Sequence, residues 1–342
     1  MTGLRVISAG FAPTIQDLGR PHVQHLGVPP SGALDPVALS IANALVGNEP
    51  GAAALELRVM GPTLAVEADW VRVALVGTVA ALEVQGERGG PVDSNRSVRF
   101  SRGTKFRIGG LSDTGVAYLA VEGGIDVPEV YGSRATYTRS QIGGIEGRAV
   151  KDGDLLPLAL NGVGERSEMK CSDLDWARAH GPIRVVLGPQ DDFFSQESIA
   201  GLFSETYTCT READRMGIRL DGPALTHVKG HDIVSDGIVT GAIQVPGNGM
   251  PILLLADHQT TGGYPKVGTV ISADIPRLGR MRPGDEIRFE EITVEAAEAA
   301  RADLEAATAR VIDRFERAGA WLDEAALYRE NLVSGVVGDH LL

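Results

Sequence analysis

The densest run of chemically capable side chains lies between residues 257 and 269, Asp-His-Gln-Thr-Thr-Gly-Gly-Tyr-Pro-Lys-Val-Gly-Thr. Asp257 and Lys266 bring opposite charges, and His258, Gln259, Thr260, Thr261 and Tyr264 bring hydrogen-bonding groups. Gly262 and Gly263 permit positive φ and close approach of a ligand to the backbone. Apolar runs at 251–256 and 267–271 enter and leave the stretch, and both read as buried strands. Polar groups packed this densely between buried strands cost free energy unless they bind something. Glycine amides beside a lysine can cradle a phosphate, although neither GxxxxGK[ST] nor GxGxxG occurs. Lys266 is one of five lysines beside 27 arginines, so a tunable amine stands out here. The competing reading is a structural turn.

Other candidates are scattered. Gln244 interrupts an apolar strand and needs partners; beside the 257–269 stretch it would be a ligand contact. Asp214-Arg215 reads as a buried ion pair or as an anion clamp. Arg134, Tyr137 and Arg139 cluster in a Gly-rich interval, 131–148. Ser31, between Pro30 and Gly32, is expected on an exposed tight loop, but no G-x-S-x-G nucleophile motif surrounds it. Asp191 and Asp192 read as a proton-sharing or cation-binding pair, or as a solvated turn capping the helix at Ser195. His22 with His25, and His227 with His231, lack a third ligand at close spacing, so no metal site is expected.

The elements that must hold these groups are mostly short strands. Forty-three glycines in 342 residues, against a usual share of about 7%, imply many tight turns. Strands are expected at 4–9, 55–57, 71–76, 79–84, 97–100, 104–108, 117–121 and 183–187. Asp35-Pro36 is a helix start, N-cap carboxylate then proline, with the helix running to about Val46. A second helix is expected from Ser195 to Phe203. Leu55-Glu56-Leu57 before Gly61-Pro62 resembles Ile218-Arg219-Leu220 before Gly222-Pro223. Gly147-Arg148 with Gly153-Asp154 likewise resembles Gly279-Arg280 with Gly284-Asp285. Two such matches in the same order imply an internal repeat. The chain is therefore read as mainly β, two related β-barrel domains at 1–160 and 183–292 joined by a polar linker, 161–182. A helical extension, 293–342, follows, with Val294, Ala297, Leu304, Val311 and Phe315 on the apolar face and a short second helix at 322–332.

A net charge of −13 without a basic run argues against nucleic acid and anionic membranes as partners. Cys171 and Cys209 form no CxxC, and no apolar leader or 18-residue apolar span occurs. A reduced, cytoplasmic protein is the default expectation.

Six segments in order resemble the allophanate hydrolase subunit 2 / KipA family, which includes the C subunit of 5-oxoprolinase and is related to the carboxyltransferase part of urea amidolyase. They are Gln16-Asp17-Leu18-Gly19-Arg20, Gly27 to Asp35, Ser133-Arg134-Ala135-Thr136-Tyr137, Asp214-Arg215-Met216-Gly217, Ser235 to Pro246 and Asp257 to Pro265. Met250 and Arg280 stand where the family usually carries Gln. The resemblance implies two cyclophilin-like barrels and a KipI-like partner, the B subunit of 5-oxoprolinase. A LamB-like third component, the A subunit, would complete an ATP-dependent (Mg2+-requiring) lactam hydrolase. The resemblance also implies, as an alternative, a carboxyltransferase acting on urea or a related amide. This chain has no Met-Lys-Met site, so biotin would come from another polypeptide. A non-catalytic regulator that binds a KipI-like inhibitor is the third implication. For a small amide or lactam substrate, Lys266 and Arg215 are assigned to anion stabilisation. Gln244 and Gln259 are assigned to amide recognition, and Asp257 or His258 to proton transfer. Thr260, Thr261, Gly262, Gly263, Tyr264, Arg134 and Ser31 complete the expected binding set.

Overall fold

Residues 3–157 form two facing sheets in the computed structural model, which describes residues 2–87, 89–178 and 181–319. One runs Leu155–Pro157, Gly3–Ser8, Thr63–Val66, Lys105–Ile108, Leu82–Val84, Pro91–Val92; the other runs Thr14–Gln16, Ala54–Leu57, Ala117–Val121, Trp70–Val76, Ser97–Ser101. Leu4, Val6, Leu64 and Phe106 of the first pack against Leu55, Leu57, Val73, Leu75 and Leu119 of the second, filling the space between them. Side chains alternate across a strand, so Ala54, Ala74, Val76, Tyr118 and Ala120 face the opposite way, and these join a second core. The second sheet is thus buried on both faces. That is why its strands read as continuous apolar runs, and why two of its charged members, Glu56 and Arg72, are buried.

The second core is shared between the halves of the chain. It holds helix α1 (Pro36–Leu45), the interior of an eight-stranded sheet built from residues 183–291, and Val311 of the C-terminal helix. Asp35 caps α1 as expected: its Oδ1 accepts from Val37 N at 3.1 Å and Ala38 N at 3.0 Å. The helix is apolar on nearly every side because it is wedged between the two barrel-like units. Neighbours in the eight-stranded sheet run Glu286–Ile287, Tyr207–Ala213, Gly217–Asp221, Ile252–Leu254, Ala242–Gln244, Lys266–Val270, Ile183–Leu187, Phe289–Glu291. Its two edges are consecutive in sequence, separated by Arg288 alone, so the sheet nearly closes on itself and hides its edges. Helix α2 (Gln196–Ser204) starts at Ser195, whose hydroxyl, not Asp191 or Asp192, caps it. Helix α3 is Ile275–Arg280 and α4 is Val294–Asp313.

Several sequence expectations change. Val294 is 54% exposed, so the apolar face of α4 begins later, at Leu304 and Val311. The polar interval 161–182 is more than a linker. Its Glu168 enters the first unit to accept from the fully buried Arg72 Nε at 3.0 Å, and Met169–Lys170 pairs with Glu316–Arg317 beyond α4. The repeated Gly-Arg/Gly-Asp pattern serves two purposes: Arg148 binds Asp154, whereas Asp285 binds Arg282, and Arg280 reaches Asp35 and the Trp176 carbonyl instead. The expected helix at 322–332 lies outside the described residues.

Candidate active site

Arg215 is the meeting point of the two units. It lies in the turn before Gly217–Asp221, where Asp214 Oδ1 accepts from Met216 N at 2.7 Å. Its guanidinium crosses to the first unit. Nε donates to Asp257 Oδ2 at 2.8 Å and Nη2 to Asp257 Oδ1 at 3.2 Å. Nη2 also donates to the Gly32 carbonyl at 2.6 Å, and Nη1 to Glu56. Glu56 Oε2 in turn accepts from Tyr118 Oη at 2.6 Å and Leu34 N at 3.0 Å. Glu56 and Tyr118 are register partners on adjacent strands, which puts both on the face turned toward Arg215. Burial pulls the Arg215 guanidinium down, but Asp257 and Glu56 more than offset it, so its pKa is raised and its charge is permanent. Burial first, then the charges of Glu56 and Asp35, hold the Tyr118 hydroxyl protonated, well above its usual value.

Two adjoining cavities open between the units. One, of about 190 Å3, is walled by Glu56, Arg58, Arg139, Arg215 and Asp257. The other, of about 560 Å3, is walled by Arg139, Arg211, Arg219, Gln244, Gln259 and Tyr264. Arg139, Asp214 and Met216 border both, so the two form one cleft. Gln259 Nε2 donates to Gln244 Oε1 at 3.2 Å, which leaves Gln244 Nε2 buried without a partner. Gln244 itself is 2% exposed. Gly262 makes this placement possible: a Cβ there would lie 2.7 Å from Gln244 Nε2.

The remaining expected site residues divide. His258 is fully buried; its Nδ1–H donates to the Gln259 carbonyl at 2.6 Å and its Nε2 has no partner. Burial, ahead of the opposing effects of that bond and of Asp257, lowers its pKa and keeps the ring neutral. Lys266 is 3% exposed and donates to Asp236 Oδ2 at 3.0 Å. That pair clamps the ribbon of Asp236–Gly237 and Thr261–Gly262 onto the barrel, beside Gln244. Lys266 therefore faces a carboxylate rather than the cleft. Gly262 and Gly263 are not left-handed, and their segment is tied into backbone pairing by Thr260 O and Gly263 O, so the loop forms no phosphate nest. Ser31 is buried, not exposed as expected, because its N–H donates to Ala256 O at 3.0 Å and draws the loop under the Asp257 turn. Arg134 is not brought to the cleft; it binds the Val127 carbonyl and Glu129, while its neighbour in sequence, Arg139, reaches the cleft instead. Arg215 has four hydrogen bonds to protein acceptors, which makes it a strut between carboxylates more than an anion receptor. Among the described residues no group of three or more His, Cys, Asp or Glu could hold a metal.

Sequence reasoning overlooked Glu56, Arg211 and Arg219 as site residues. Glu56 carried the signal that exposed Gln244, a polar residue inside an apolar strand. Arg211 and Arg219 look like ordinary surface charges.

The neutral state of His258 has a measurable consequence. Its folded pKa lies below the free value of 6.5, so the folded protein binds fewer protons than the unfolded chain between the two values. The stability from this group is complete above 6.5 and is lost as pH falls toward the folded value. His258→Phe is expected to flatten the stability–pH slope as pH falls below 6.5 in urea titrations. An unchanged slope would show that His258 does not set it.

The chain as a whole is similar to known proteins. The family model described as carboxyltransferase domain, subdomain A and B, matches residues 26–291. Over 301 residues the chain is 36% identical to the 5-oxoprolinase C subunit of Escherichia coli (strain K12), covering 88% of this chain and 94% of that protein. It is 32% identical over 333 residues to urea amidolyase of Lachancea kluyveri, covering 88% of this chain but 18% of that one. The crystal structure of the K. lactis urea amidolyase superposes with a TM-score of 0.82 at 25% identity, covering 94% of this chain and 20% of that.

Proposed function

The chain belongs to the carboxyltransferase domain family, subdomains A and B, and from that premise we propose that it is the C subunit of a 5-oxoprolinase-type amidohydrolase. In this reading it acts with a KipI-like B subunit, and with a LamB-like A subunit, to open a lactam at the expense of ATP. The 5-oxoprolinase C subunit, matched at 36% identity along 94% of its own length, supports this reading.

The observation that carries the reading is the Gln244–Gln259 carboxamide pair in the cleft wall, with Gln244 Nε2 buried and unpaired. An unpaired buried donor costs about 1–3 kcal/mol, and a planar amide whose oxygen accepts from it removes that cost. Asp257, fixed by Arg215 at the border of the smaller cavity, is assigned to take a proton. His258 holds the Gln259 backbone in place. Lys266 holds the ribbon that carries Gly262. Since the glycine loop offers no phosphate nest, ATP and Mg2+ are assigned to the KipI-like partner.

Mixing the full chain with its candidate B and A subunits is expected to give ATP hydrolysis that depends on 5-oxoproline. No lactam-dependent ATP turnover by the three together would sink the proposal. The likeness to urea amidolyase favours a second reading, carboxyl transfer to urea or a related amide from biotin carried on another polypeptide. Transfer of labelled carboxylate from carboxybiotin, with no lactam-dependent ATPase, would select it.

A further inference from the structure

Building on that reading, we propose that Arg139 and Arg211 form a receptor for a carboxylate on the substrate, so that the cleft selects an amide bearing its own anionic group over a neutral amide. The chain carries 45 acidic residues against 32 basic ones, yet three arginines converge on the larger cavity. Arg219 is paired, Nε to Glu212 Oε2 at 2.9 Å. Among the described residues neither Arg139 nor Arg211 has an ion pair or a side-chain hydrogen bond. The acids nearby are already engaged: Glu212 binds Arg219, and Asp214 accepts from the Met216 and Gly217 amides.

The two arginines, both exposed, arrive at the cavity from different units. Arg139 sits in the 3-10 turn Thr138–Ser140 of the first unit. Arg211 lies in a bulge: Cys209 pairs with Leu220 and Ala213 with Ile218, so three residues face one across the strand pair. Bulges beside sites re-aim a side chain, and here Arg211 borders the same cavity as Gln244, whose Nε2 is buried without a partner. Arg215 cannot do this work, because its donors are held by Asp257, Glu56 and Gly32. The cleft therefore offers an amide donor on one wall and two uncommitted guanidinium forks on the others, a match for a lactam with a carboxylate and a poor match for urea.

Equilibrium binding to the full chain tests the inference with 5-oxoproline, with 2-pyrrolidinone, the same ring without a carboxylate, and with inorganic phosphate. The unmodified chain should bind 5-oxoproline at least tenfold more tightly than 2-pyrrolidinone. The double variant Arg139→Gln, Arg211→Gln should lose about tenfold for 5-oxoproline and nothing for 2-pyrrolidinone. Unchanged affinity in that variant, with an unchanged melting curve, overturns the proposal. So does equal binding of the two lactams. Phosphate binding more tightly than 5-oxoproline reassigns the arginines to a phosphoryl group and also overturns it. Gln244→Leu separates the two claims. If it weakens both lactams while the arginine variant changes nothing, the amide reading stands and the carboxylate receptor falls. If it changes neither lactam while the arginine variant still weakens 5-oxoproline, the receptor stands and the amide reading falls.

Discussion

Arg215→Met is expected to lower folding stability by about 3–5 kcal/mol, the usual cost of removing one partner from a buried charge cluster. Asp257 and Glu56 are 6% and 1% exposed at their side chains, and Arg215 bridges them. Without it two carboxylates lie buried side by side with no cation between them. The same change removes the bond to the Gly32 carbonyl that ties the loop before α1 to the second unit. Arg215→Lys should recover only part of the loss, because an ammonium cannot engage both oxygens of Asp257 and reach Glu56 together. The deficit should also shrink in acid. Buried carboxylates without a cation have raised folded pKa values, so they favour the folded state below their unfolded value near 4 and disfavour it as pH rises through the folded one. Urea titrations of both variants at neutral and acid pH read this directly. A methionine variant within about 1 kcal/mol of the parent would mean that the bridge is not what joins the units.

Gln244→Leu should act on function rather than on folding. Leucine suits a buried strand position, so stability should change by about 1 kcal/mol or less. It removes the unpaired donor and leaves Gln259 Nε2 without its acceptor. On the proposed function, kcat/KM for lactam-dependent ATP hydrolysis by the assembled subunits falls about 100-fold, equivalent to about 2.7 kcal/mol of transition-state stabilisation. Gly262→Ala reaches the same point by another route. Its Cβ would stand 2.7 Å from Gln244 Nε2 and 2.6 Å from Ile238 Cδ1, displacing the amide without deleting it. Parental turnover in Gln244→Leu would remove the residue from substrate recognition.

The elements and the chemical inventory were legible in the order of residues. Short apolar runs between glycine turns specify strands through local sterics and burial, and Asp35-Pro36 specifies a helix start through one side chain and one ring. Those are local effects, and they survive into the structure with shifts of up to three residues, the largest at the strand expected over 79–84 and found at Leu82–Val84. A polar residue in an apolar strand is also a local signal, and it singled out Gln244, whose Oε1 accepts from Gln259 while its Nε2 has no partner. Which charges meet was legible nowhere in the chain. Arg215 lies 159 residues from Glu56 and 42 from Asp257, and no local rule relates such distances. The site loop offered Lys266 and His258 as its most reactive groups, yet packing turned Lys266 to Asp236 and buried the His258 ring against a carbonyl. Arg134 and Arg139, five residues apart, part company because one folds back on Glu129 while the other reaches the cleft. Side-chain direction at a bulge or a turn depends on what the opposite unit packs against it, and that information exists only once the two units have closed on α1.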